Sequence, residues 1–133
     1  MEDRSADAYI IDKAIQRLGR GAEVVIASDL AAARARLFAA VESDYRLPTL
    51  VVVDVRLPDG DGLELVRWAR QQPSLFAVRF VVVSNYLSGD LTRRAYEVGA
   101  NSVIDKASII DDLEAVEGIA HYWVALNEPL PPR

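Results

Sequence analysis

The residues best suited to chemistry lie where apolar segments of the chain end. Asp54 and Ser84 each follow directly on a run of apolar, mostly β-branched residues, and Lys106 comes just after a third, shorter run. Glu2 and Asp3 precede the first predicted helix. Because the carboxyl ends of parallel strands form one edge of a sheet, we expect these five side chains to gather there. Such a set is suited to phosphoryl transfer, since a carboxylate can form an acyl phosphate and a lysine can pair with phosphoryl oxygens.

Each of these residues has a commoner explanation when taken alone. An Asp after a strand often caps a helix, a Ser there usually forms a turn, and a single Lys is usually solvated. Their shared location at the ends of buried strands favours the functional interpretation. Clustered carboxylates repel one another unless a cation compensates. Hard oxygen ligands with open positions favour Mg²⁺ as that cation.

The apolar patterning predicts alternating strands and helices. Continuous apolar runs at 50–53 and 80–83 predict parallel strands buried on both faces, with weaker strands at 22–27 and 102–104. Helical periodicity appears in five segments, at 11–18, 30–41, 61–69, 91–98 and 113–124. Strands that alternate with helices of this length predict an α/β fold, a parallel sheet with helices on both faces.

Four helix ends carry recognisable signals. Ser28 and Asp29 are candidate caps for the second predicted helix, and the third helix is expected to start near Asp61. Ser88 is the predicted N-cap of the fourth helix, which we expect to end at Gly99.

Composition excludes several classes of protein. The 133 residues fit one domain, predicted over 1–126, with a proline-rich tail at 127–133. The absence of cysteine excludes disulfides, thiolate metal sites and cysteine nucleophiles. A net charge of −5 argues against nucleic-acid binding. No apolar run approaches the roughly 18 residues of a membrane span, and no export signal is evident, so we expect a cytoplasmic protein.

The segment Val-Val-Val-Asp-Val-Arg-Leu-Pro-Asp-Gly-Asp-Gly at 51–62 closely resembles the phosphoacceptor segment of response-regulator receiver domains. The spacing from Asp54 to Pro58 and Gly62 is the one that this family shows. Residues 2–7 resemble the family's acidic pair and the start of its first helix. Ser84 and Lys106 stand at the family's hydroxyl and lysine positions.

The resemblance implies a flavodoxin-like, receiver-type fold and a signalling role. Asp54 would receive a phosphoryl group from a histidine kinase, and Ser84 and Lys106 would contact its oxygens. The protein would then be a phosphoacceptor with at most slow self-dephosphorylation, not a metabolic enzyme. The ending at 121–132 is similar to single-domain regulators that partner bacterial phytochrome kinases, which implies a partner of that type. The family resemblance, the aromatic last helix and the possible strand gap favour a homodimer.

The resemblance also implies a Mg²⁺ site. Asp3 and Asp54 would ligate the ion directly, Glu2 would do so through water, and Arg56 would contribute its backbone carbonyl. The sequence departs from the family just before this acidic pair. Receivers have an apolar strand there, second in the sheet order 2-1-3-4-5, whereas here only Met1 precedes Glu2.

An empty strand position would leave buried backbone groups unpaired, at a cost of about 1–3 kcal/mol each. Three arrangements avoid this cost. The natural protein starts earlier, a partner or second copy fills the position, or the strands at 22–27 and 50–53 pair directly and the acidic pair is displaced. We expect a rearranged or dimer-completed sheet.

Smaller departures concern the conformational switch. Receivers usually carry an aromatic ring three residues before the lysine and a proline after it, but Val103 and Ala107 occupy these positions. Tyr86 offers a substitute ring, although a surface aromatic is the plainer interpretation, and Asn85 replaces a smaller residue. The alternative function is a pseudo-receiver, a protein-binding module that stays unphosphorylated because the acidic pair is misplaced. A flavin binder is disfavoured because no glycine-rich phosphate loop follows a strand.

Overall fold

The computed structural model describes residues 24–42 and 47–108, together with positions 118 and 122. The predicted first helix, the last helix except for positions 118 and 122, the acidic pair Glu2 and Asp3, and the proline-rich tail lie outside these residues. Among the helices of the described part, none has the length and apolar character that crossing a membrane requires.

The described segments alternate strands and helices as the sequence predicts. The strands are β1 (Val24–Ala27), β2 (Leu50–Asp54), β3 (Arg56–Leu57), β4 (Gly60–Asp61), β5 (Arg79–Ser84) and β6 (Ser102–Asp105). The helices are α1 (Leu30–Glu42), α2 (Gly62–Arg70) and α3 (Gly89–Val98), with short 3₁₀ turns at Pro73–Leu75 and Lys106–Ser108. The hairpin of β3 and β4 was not predicted, because two-residue strands carry no periodicity.

Within the described residues, four strands form one parallel sheet in the order β1-β2-β5-β6. Strand β1 pairs directly with β2, with Val24 opposite Leu50 and Ala27 opposite Val53. This confirms the predicted rearrangement by direct pairing. The alternative in which a partner or second copy fills a gap between these strands is wrong, because their facing backbone groups bond to each other and leave no gap.

Both faces of the sheet are buried. On one face, alternate residues of β2 and β5 pack with apolar side chains from α1, α2 and α3 in a single core: Val51, Val53, Phe80, Val82, Ala33, Leu37, Leu63, Val66, Ala69 and Ala95. On the other face, the intervening strand residues are at most 8% exposed: Leu50, Val52, Val81 and Val83. Burial on both sides explains why these strands are apolar runs instead of alternating patterns.

The ends of α2 and α3 confirm the predicted signals. The Asp61 carboxylate accepts a hydrogen bond of 2.9 Å from the backbone N–H of Leu63 at the start of α2. The Ser88 hydroxyl accepts one of 3.1 Å from Leu91 N–H at the start of α3. Helix α3 ends at Gly99, whose φ of 112° is the left-handed conformation that favours glycine.

Two carboxylates cap the first turn of α1. Asp29 Oδ1 accepts from Ala32 N–H at 2.7 Å, as the sequence predicts. Asp59, far along the chain, accepts from Leu30 N–H at 2.6 Å and from Ala31 N–H at 2.9 Å. These two N–H groups hold the pKa of the Asp59 carboxyl below its usual value of 3.8. The stabilisation that Asp59 gives the folded state is therefore complete above the usual pKa of the group. It is lost as the pH falls through the lowered pKa.

The guanidinium of Arg70 joins the end of α2 to the loops around β5 and β6. It donates to the carbonyls of Gly99 and Val78, both at 2.9 Å, and to Asn101 Oδ1 at 2.8 Å. It also lies over the Phe80 ring, 4.9 Å from the centroid. Burial lowers the pKa of Arg70, but a guanidinium remains charged at neutral pH.

Replacing Arg70 should destabilise the fold. We expect Arg70→Met to reduce the free energy of unfolding by about 2–4 kcal/mol, because several partly buried acceptors lose their donor at once. Arg67→Met, at an exposed position of the same helix, should change it by less than about 0.5 kcal/mol. Urea unfolding of both variants measures the difference, and equal effects would contradict this role for Arg70.

Candidate phosphoacceptor site

The register of the sheet brings three of the predicted site residues to one edge. Asp54 ends β2 and lies opposite Val83 of β5, while Ser84 ends β5 and lies opposite Asp105 of β6. Lys106 follows directly on β6. Because the strands are parallel, their carboxyl ends lie at one edge of the sheet, which carries all three residues. Glu2 and Asp3 lie outside the described residues.

Asp54 and Lys106 form an ion pair at this edge. Lys106 Nζ lies 2.8 Å from Asp54 Oδ2. The side chains are only 5% and 16% exposed, respectively, so water screens the pair weakly. Removing either partner leaves the other charge poorly solvated, which is why such pairs are costly to break. The pair holds the carboxylate beside a fixed cation.

The second carboxylate oxygen of Asp54 is bound by the backbone. Asp54 Oδ1 accepts a hydrogen bond of 3.0 Å from Arg56 N–H, the local turn that Asp side chains often make. Val55, which lies between Asp54 and Arg56, donates its N–H to Val83 O at 3.1 Å and so extends the contact with β5. Each carboxylate oxygen thus has its own donor, and the orientation of the group is fixed.

Gly62 closes the loop behind Asp54. Its N–H donates to Val55 O at 2.8 Å. A Cβ atom at this position would lie 2.1 Å from Asp54 O and 2.8 Å from Val53 Cγ2, distances that backbone and core atoms do not allow. Close approach to the end of β2 therefore requires glycine at position 62, which gives a physical reason for this glycine in the segment 51–62.

Ser84 and Tyr86 belong to the loop after β5. Ser84 is 4% exposed, and its hydroxyl oxygen accepts a hydrogen bond of 3.1 Å from Tyr86 N–H. The Tyr86 ring is 66% exposed, which agrees with its interpretation as a surface aromatic. The guanidinium of Arg56 lies over this ring at 4.7 Å, a cation–π contact worth about 0.5–1 kcal/mol at exposed sites. Sequence reasoning assigned Arg56 only a backbone role and missed this contact, for which the sequence has no local signal.

The departures near Lys106 have structural counterparts. Val103 is partly buried and packs against the core. Ala107 donates its backbone N–H to Asp105 Oδ1 at 3.1 Å, a hydrogen bond that a proline at this position cannot make. The Asp105 side chain thus stabilises the turn that carries Lys106.

Two of the predicted metal ligands lie within the described residues. The Asp54 carboxylate and the Arg56 carbonyl are oxygen ligands of the kind that Mg²⁺ prefers. Within 24–42 and 47–108, no group of three or more His, Asp or Glu residues is close enough together to hold a metal ion. A complete ligand set thus needs further oxygens, and Glu2 and Asp3 are the residues that the sequence offers for them.

Comparison with known proteins identifies the family. The family model described as the response regulator receiver domain matches residues 1–116, which include every predicted site residue. The chain belongs to the response regulator receiver family. Receiver domains act in two-component signalling and have the CheY-like fold, in agreement with the parallel sheet seen here.

Individual relatives cover nearly the whole chain. This chain is 34% identical to the probable methanogenesis regulatory protein FilR2 of Methanothrix harundinacea over 133 residues, which are 99% of this chain and 86% of that protein. The phosphorylated cyanobacterial phytochrome response regulator RcpA is 28% identical, with a TM-score of 0.82 over 97% of this receiver and 94% of RcpA. The Mn²⁺-bound response regulator Rcp1 is 26% identical, with a TM-score of 0.82 over 98% and 96% of the two chains. RcpA and Rcp1 thus match this receiver over almost their full length.

A side chain at position 62 should disrupt the site. We expect Gly62→Ala to lower the free energy of unfolding by about 1–3 kcal/mol, because the new Cβ must displace the backbone of Asp54. Gly89→Ala is the matched control, since no atom lies within 4 Å of its Cβ position and alanine favours a helix. Urea unfolding should show the control unchanged or more stable. Equal losses in the two variants would contradict the steric explanation.

The ion pair should appear as a coupling energy. Lys106→Met alone should cost about 3 kcal/mol, because it leaves the Asp54 carboxylate without its cation. Asp54→Asn combined with Lys106→Met should cost less than the sum of the single variants by more than about 0.5 kcal/mol. A double-mutant cycle by urea unfolding measures this difference. Strict additivity would show that the two groups do not interact in solution.

Proposed function

We propose that this receiver is a single-domain response regulator, one domain over 1–126, that accepts a phosphoryl group on Asp54 from a sensor histidine kinase. The observation that carries the proposal is the fixed Asp54 carboxylate at the strand edge, held by Lys106 on one oxygen and by Arg56 N–H on the other. The function is that of a signalling protein and not of a metabolic enzyme.

The chemistry follows from this geometry. A carboxylate oxygen of Asp54 attacks phosphorus, a new O–P bond forms, and the P–N bond of the kinase phosphohistidine breaks with its electron pair going to the imidazole. Lys106, already 2.8 Å from Asp54 Oδ2, then pairs with the phosphoryl oxygens. Ser84 at the end of β5 donates its hydroxyl hydrogen to the phosphoryl group, and this contact draws the β5–α3 loop inward as the conformational signal.

Magnesium is the proposed cofactor. Asp54 and the Arg56 carbonyl, together with Glu2 and Asp3, would hold the ion. When bound, Mg²⁺ supplies positive charge that offsets the phosphoryl charge. The Mn²⁺-bound form of Rcp1 supports a divalent-metal site in a relative of this receiver.

The proposed partner is a kinase of the bacterial phytochrome type, met in the cytoplasm by a homodimer of this receiver. RcpA, described as a phytochrome response regulator and solved in a phosphorylated form, supports the choice of kinase. The pseudo-receiver remains the second candidate because of one observation. Direct pairing of β1 with β2 occupies the place of the strand after which the family's acidic pair comes.

Mass spectrometry after incubation with acetyl phosphate and Mg²⁺ tests the proposal. We expect the parent protein to gain one phosphoryl mass, because Asp54 is an oriented nucleophile, and the Asp54→Asn variant to gain none. Omission of Mg²⁺ should abolish the gain. A folded parent protein that gains no mass would instead support the unphosphorylated protein-binding module.

A further inference from the structure

One side chain of the phosphoacceptor segment leaves its own loop. Asp59 lies at the turn between β3 and β4, five positions after Asp54 in the sequence. Its two carboxylate oxygens accept hydrogen bonds from Leu30 and Ala31 at the start of α1, 29 and 28 positions away. The contact is a tie between the loop of the candidate site and a helix that contributes no residue to that site.

The loop carrying Asp59 is a short, closed structure. In the β3–β4 hairpin, Arg56 pairs with Asp61 and Leu57 pairs with Gly60, so the turn contains only two further residues. Leu57 is 7% exposed and anchors the hairpin in the core. The base of the hairpin is Arg56, whose N–H binds Asp54 Oδ1. Only a few residues therefore connect the tip of the hairpin to the Asp54 carboxylate, and a displacement of the tip shifts the Arg56 N–H that binds it.

Helix α1 has a local cap besides the Asp59 contact. Asp29 accepts from Ala32 N–H, the usual way in which an Asp starts a helix. The hairpin tip also packs closely on the helix, since the Cβ position of Gly60 lies 3.2 Å from Leu30 Cδ2. The Asp59 bonds thus join two elements that are packed together, and α1 keeps its own capping carboxylate without them.

We propose that Asp59 is a positioning residue, which ties the β3–β4 hairpin to α1 and thereby holds Arg56 in place at the phosphoacceptor. Its effect on phosphorylation rests on the function proposed above. Its effect on the local geometry is independent of that function, because the tie acts on the Arg56 and Gly62 hydrogen bonds whether or not Asp54 is phosphorylated. Helix α1 and the phosphoacceptor loop consequently move together.

Asp59→Ala and Asp29→Ala form a matched pair of variants. Each removes one negative charge and one capping side chain from α1, but only Asp59 also bridges to the hairpin. Amide hydrogen exchange by NMR is the first readout. We expect both variants to accelerate exchange at the start of α1, and only Asp59→Ala to accelerate it at Arg56 and Gly62, by about tenfold. Equal exchange at Arg56 and Gly62 in the two variants would overturn the proposal.

The initial rate of labelling by acetyl phosphate with Mg²⁺ is the second readout. Asp59→Ala should slow labelling about tenfold, and Asp29→Ala should leave it within about twofold of the parent rate. Asp59→Asn should recover part of the loss, because its amide oxygen still accepts one hydrogen bond. Equal rates in Asp59→Ala and Asp29→Ala would show that Asp59 is only a helix cap. If the parent protein is not labelled, the proposed function fails, and hydrogen exchange still decides the positioning role.

Discussion

The backbone ladder on both sides of β2 is the constraint on which the rest of the molecule depends. Strand β2 bonds to β1 on one side and to β5 on the other, and its side chains are buried on both faces. A strand so enclosed offers polar chemistry only where it ends, because an unpaired polar group along its length is costly. Asp54 occupies that end. The parallel direction of the neighbouring strands then brings Ser84 and Lys106 to the same edge.

The loop after β2 converts this edge into a shaped site. Within a few residues the chain turns back on itself, and Gly62 lies against the Asp54 carbonyl where any side chain would collide. In the same loop, the Arg56 guanidinium lies over the Tyr86 ring and the Asp59 carboxylate accepts a hydrogen bond from the start of α1. Several contacts that share one loop thus surround the Asp54 carboxylate.

The direct pairing of β1 with β2 distinguishes this receiver from the sheet order of its family. It satisfies the backbone groups with which the two strands face each other, so no gap separates them in the described part of the sheet. It also brings the start of α1 within reach of Asp59, a contact that depends on β1 lying next to β2. The arrangement of the strands and the tie between hairpin and helix therefore have a common origin.

The sequence by itself determined the main strands and helices of the described part and the family. The apolar runs of β2 and β5 indicate buried parallel strands, Ser88 and Gly99 mark the ends of α3, and the spacing from Asp54 to Gly62 identifies the family. These signals are readable because each depends on neighbours within a few positions. Only the tertiary structure decided which strands pair, that Lys106 binds Asp54, and that Asp59 caps α1. Those contacts join residues that are distant along the chain, and their energies depend on burial and register, which no local pattern of residues encodes.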